Sequence, residues 1–136
     1  MPDLTSTDIA GRIEDLYGAP LADLATHVQD RPPGMLAALL GVHDSLVFAE
    51  HSVALNRERL AQLIDGEGRI GAHEVPHVLD CARRLAEAVA VRDVQSATGL
   101  AVLQSLGRVA TPEPPPAPAP AVAALPVVVA NAAPSR

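Results

Sequence analysis

Residues 35–64 read MLAALLGVHDSLVFAEHSVALNRERLAQLI, and nothing in this stretch stops a helix. Gly41 alone weakens it, because glycine brings backbone freedom that a helix must remove. Leu36, Leu39, Leu40, Leu46, Val47, Val53, Ala54, Leu60 and Ile64 form one apolar stripe, the pattern of an amphipathic helix. At 1.5 Å per residue such a helix is roughly 45 Å long. DGEGRIG at 65–71 then reads as a turn. A second long helix is predicted from about Glu74 to Leu106, with Gly99 as its weak point and Gly107 near its end. Val75, Val78, Ala82, Leu85 and Val89 carry its matching stripe, which Leu103 and Leu106 resume beyond a gap at Arg92, Ser96 and Gly99. Two long helices joined by a short loop make an antiparallel hairpin.

Upstream, Ile9, Ile13 and Leu16 follow Thr5 at helical spacing, so Thr5 is the expected N-cap of a short helix that Gly18 ends. Pro20 suits the first turn of a second short helix with Leu21, Leu24 and Val28 on one face. Asp30-Arg31-Pro32-Pro33-Gly34 breaks the chain before the hairpin. The expected fold class is therefore all-α, a long antiparallel helical hairpin with two short N-terminal helices over residues 1–110.

Composition changes near Ala110. Residues 111–136 hold eight of the thirteen prolines and none of the nine glycines, and Glu113 and Arg136 are their only charged side chains. The stretch TPEPPPAPAP at 111–120 is expected to be an extended, semi-rigid spacer, since proline restricts φ and offers no amide donor. The apolar run AVAALPVVVA at 121–130 would sit at its end as a tethered docking peptide. The plainer expectation for 111–136 is an extended or disordered Pro/Ala-rich tail.

Charge and residue usage exclude several functions. The 136-residue chain carries a formal charge of −6 and a pI near 5.2, against the phosphate neutralisation on which nucleic-acid binding rests. Tyr17 and Phe48 are its only aromatic residues, leaving little for bases to stack on. The first residues show no basic, apolar signal pattern, and no stretch approaches the roughly 18 apolar residues of a membrane span. A single cysteine, Cys81, forms no internal disulfide, which fits a cytoplasmic protein.

One heptad series bears on assembly: Leu36, His43, Glu50, Arg57 and Ile64 line one edge of the first long helix. Folding the hairpin about residue 68 brings Arg57 near Asp80 and Glu50 near Arg84. Such pairs would set register or select a homodimer; the other expectation is an edge that simply stands in solvent.

Two motifs share the turn. His73-Glu74-Val75-Pro76-His77 has the H-E-x-x-H spacing and resembles the zinc peptidases, where both imidazoles hold zinc and the glutamate activates water. Pro76 departs from that family, whose helix is continuous between the histidines. It places the motif at an exposed helix start. Adventitious metal binding by His73, His77 and Cys81 is the milder version. Residues 63–74 resemble an EF-hand loop, with Asp65 at loop position 3, Glu67 at 5, Gly68 at the turn, Ile70 at 8 and Glu74 at the bidentate position 12. Leu63 stands where that family has its first aspartate, which removes one ligand.

The sequence thus leads to a non-enzymatic helical protein–protein interaction module, partnered by another protein or by a second copy. It has no expected cofactor, no nucleic-acid or membrane partner, and no expected catalytic residue. The alternatives are calcium binding through Asp65, Glu67 and Glu74 and, further off, a small zinc hydrolase using His73 and His77.

Overall fold

A computed structural model describes residues 3–66, 68–110 and 115–118. The chain runs through four helices, α1 (Ser6–Tyr17), α2 (Leu21–Gln29), α3 (Met35–Ile64) and α4 (Val75–Ala110), and no strand occurs among the described residues. The all-α expectation holds: α3 and α4 pack along each other as the long hairpin, and the two short helices precede it. The spacer and apolar run expected in 111–136 lie outside the described residues, apart from the exposed residues 115–118.

Local chemistry sets the boundaries. Thr5 caps α1: its hydroxyl accepts from the Asp8 amide at 3.2 Å, and the Asp8 carboxylate accepts from the Thr5 amide at 2.9 Å. Each of the two satisfies a helix-end donor. Gly18 ends α1 in the left-handed region at φ 70°, where a Cβ is unfavourable, and its amide donates to the Glu14 carbonyl at 2.7 Å. Pro20 stands as the N-cap of α2 rather than inside its first turn. It has no side chain to cap with, so Glu14 accepts from the Leu21 amide at 2.8 Å instead.

The core sits at one end of the hairpin, hereafter the base. Ile9, Ile13, Leu24, Leu39, Leu46 and Leu103 close on one another from all four helices. Ile9, Ile13, Leu39 and Leu46 are fully buried, each contributing about 1.5–3 kcal/mol relative to exposure. α1 runs alongside α4. The Ser96 hydroxyl donates to the Leu4 carbonyl at 2.8 Å, and farther along Arg12, Asp15 and Leu16 share a cleft with Leu103, Gln104 and Gly107.

The gap expected at Ser96 and Gly99 is in fact the seat of α1. Both residues are buried, and a Cβ on Gly99 would lie 2.6 Å from Ile9 Cδ1 and 3.3 Å from Val42 Cγ1. Small residues here let two backbones approach, so the break in apolar period marks a contact rather than a lapse. The stripe needs correction elsewhere too. Val47, Ile64 and Val75, expected inside, are 43%, 50% and 42% exposed; for Ile64 and Val75 the reason is that no third helix reaches the turn end of the hairpin. α4 also continues to Ala110, beyond the end expected near Leu106.

Candidate functional site

The turn between α3 and α4 carries both motifs. Leu63 and Ile64 still belong to α3, so the first two positions of the EF-hand-like loop have helical backbone. Asp65 is the C-cap, and its amide donates to the Ala61 carbonyl at 2.8 Å. Glu67 lies outside the described residues. Glu74, the residue both motifs require, accepts a hydrogen bond from the Gly71 amide at 2.9 Å. It thereby performs the return arm of a capping box at the start of α4.

His73 lies in the turn and His77 in the first turn of α4, with ring centroids 6.0 Å apart in edge-on contact. Pro76 is the second residue of α4, a position where the missing amide costs little. Cys81 lines one cleft with His77 but is buried in the hairpin seam, where its Sγ donates to the Asn56 carbonyl at 3.7 Å. Among the described residues no group of three or more His, Cys, Asp or Glu side chains is placed to hold a metal ion.

The expected cross-hairpin ion pairs are also replaced. Ser6, the first residue of α1, donates its amide to Glu50 at 2.8 Å and its hydroxyl to the other Glu50 oxygen. A carboxylate at a helix N-terminus is favoured by both the free amides and the dipole. Asp80 takes Arg83 at 2.9 Å and Arg84 at 3.0 Å from its own helix. The Arg83 hydrogen bond, aided by the charges of Arg84 and Arg83 and opposed by slight desolvation, holds the Asp80 carboxyl below the ordinary aspartate value. Arg57 stays exposed. His43 is mostly buried, 3.3 Å from Asp44, so the edge is neither a ladder of pairs nor wholly solvated.

Glu50 faces α1, and residues two apart on a helix point about 200° apart. Phe48 and Ser52 therefore face away from α1. Phe48 is 72% exposed, and Leu55, Val91 and Val94 are exposed as well. A cleft of about 310 Å³ on this side is lined by Phe48, the small residues Ala49, Ser52 and Ala88, and the charged Arg84 and Glu87. A second cleft, about 430 Å³, adjoins it toward the turn, sharing Asn56 and Arg84 and adding Arg59, His77 and Asp80.

This face escapes a search for one apolar stripe because its members lie off that stripe. The available signal is the seven-residue spacing of Phe48 and Leu55, together with Val91 and Val94 three apart. No helix among the described residues is long and apolar enough to cross a membrane. No protein-family model, curated protein or solved structure matches the chain.

Proposed function

We propose that the protein is a non-enzymatic helical interaction module that pairs with a second copy of itself through the hairpin face turned away from α1. The observation that carries this is a knob beside a hole: Phe48, 72% exposed, borders a cleft floored by Ala49, Ser52 and Ala88. A surface bearing both is self-complementary about a two-fold axis. Arg84 and Glu87 line the same cleft, with Arg84 held by Asp80 of its own helix. The non-enzymatic part is supported by Glu74, whose carboxylate is engaged by the Gly71 amide.

The gain and the cost of pairing are of similar size. Phe48, Leu55, Val91 and Val94 are between 45% and 72% exposed. Covering them in both copies releases on the order of 6–12 kcal/mol, against an association cost of about 4–15 kcal/mol. Sedimentation of the full chain from about 1 µM to about 1 mM is expected to move from the 14.1 kDa chain mass toward twice that value. Phe48→Asp is expected to remain monomeric with unchanged helicity. A wild-type chain that stays monomeric throughout contradicts the proposal, as does a dimer that Phe48→Asp leaves intact.

A further inference from the structure

A third cleft lies at the base, on the opposite end of the molecule from the turn, between α2, the α1–α2 connection and the first turn of α3. Its volume is about 650 Å³, within the range of small-ligand sites, which are apolar cavities with a few placed polar groups. Leu24, Val28 and Leu36 supply apolar wall, with Leu24 buried and the other two half-buried. Tyr17 and Met35 also line it and stay substantially exposed.

One edge is polar. Asp23, His27 and Arg31 all line the cleft; Asp23 and His27 stand one turn apart on α2, and Arg31 follows its C-cap Asp30. Arg83 and Arg84 are held by Asp80, and Arg92 by Asp93. Arg31 makes no ion pair or side-chain hydrogen bond with any described residue. A guanidinium that no described side chain engages thus stands at one end of an apolar slot, and a carboxylate lines it toward the other.

We infer that this cleft binds a medium-chain carboxylic acid, its carboxylate on Arg31 and its chain along Leu24, Val28 and Leu36. A guanidinium presents a planar pair of donors that matches a carboxylate, which an ammonium does not. Asp23 sets the direction. It stands in the first turn of α2 while Arg31 lies beyond the other end of that helix, so it disturbs a carboxylate at Arg31 least. It repels the same group in the reversed pose. The nine residues of α2 that wall the slot span roughly 13 Å, which suits a saturated chain of about ten carbons; a much longer one would project into water.

The test is calorimetric titration of the full chain with decanoate, kept below micelle formation, and with decanol. Amide shifts at Val28 and Leu36 locate the site. Decanoate is expected to bind more tightly than decanol, and Arg31→Gln to weaken decanoate about tenfold or more while leaving decanol unchanged. Absence of decanoate binding overturns the inference. So does equal affinity for the two ligands, or an Arg31→Gln chain that binds decanoate as the wild type does; both signify non-specific apolar adsorption. Phe48→Asp is expected to bind decanoate normally, which separates this site from self-association.

Discussion

At the base, Ile9, Ile13, Leu24, Leu39, Leu46 and Leu103 interlock between four helices. Farther toward the turn, the seam between α3 and α4 buries Ala49, Asn56, Cys81 and Ala88 and no large aliphatic side chain completely. The same two helices build both regions. What differs is α1, which lies over the base half and is anchored by Ser6 on Glu50 and by Ser96 on the Leu4 carbonyl. A helix buries its apolar stripe only where a partner covers it, so the far half keeps Leu55 and Leu79 in solvent, and Phe48 and Val91 stay exposed on the face turned away from α1. The base is a finished core; the far half is a surface.

Substitutions at matched positions test that contrast most strongly. Ile13→Ala, in the fully buried base, is expected to lower unfolding free energy by about 2–5 kcal/mol. Leu79→Ala, at a site 64% exposed, is expected to change it by less than about 0.5 kcal/mol. Denaturant titration of both variants measures the difference. Comparable losses would mean that the far half is packed as the base is.

The anchor of α1 comes next. Glu50→Ala removes the acceptor of both Ser6 bonds and is expected to cost about 1.5–3 kcal/mol, the range for hydrogen bonds to a charged group. The loss should appear as faster amide exchange in α1, not near the turn.

Two glycines sharpen the comparison further. Gly99→Ala forces a Cβ against the buried Ile9 and the half-buried Val42. Overpacking of about 1–3 kcal/mol exceeds the gain of about 0.8–1 kcal/mol in helix propensity, so a net loss is expected. Gly41→Ala meets nothing within 4 Å and is expected to stabilise by up to about 1 kcal/mol. Melting curves that rank the two the other way would contradict the seating of α1 on Gly99.

The smallest effect is at the α1 cap. The hydrogen bond from the Thr5 side chain, then that from the Thr5 backbone, holds the Asp8 carboxyl below the ordinary 3.8, with a minor contribution from Arg12 and against slight desolvation. The folded value lies below the unfolded one, so this contribution is fully present above pH 3.8 and is lost as pH falls through the folded value. Thr5→Ala is expected to raise the Asp8 titration toward its ordinary position and to cost about 1 kcal/mol. NMR titration of Asp8 in both chains checks it; identical curves would remove the cap from the account.

Helix ends are legible in the sequence because their causes are local. Thr5, Gly18, Pro20 and Pro32-Pro33-Gly34 each act on their own backbone. The antiparallel hairpin is legible too, since Asn56 and Cys81 meet across the seam as a fold about residue 68 requires. Which side of each helix is buried is less legible. It depends on α1 reaching Ser96 and Gly99, small residues that hydropathy reads as a gap. The same limit applies at the turn: spacing alone pairs His73 with His77, but not the Gly71 amide with Glu74, which is a matter of loop geometry.

The most direct measurement compares native-state hydrogen exchange at low and high protein concentration. Amides of 52–64 and 75–86 are expected to exchange readily in the dilute chain and to gain protection as copies pair. Those of α1 and of α3 before Leu46 should stay protected in both. Uniform, concentration-independent protection along the whole hairpin would show that the far half is complete by itself and would contradict the account.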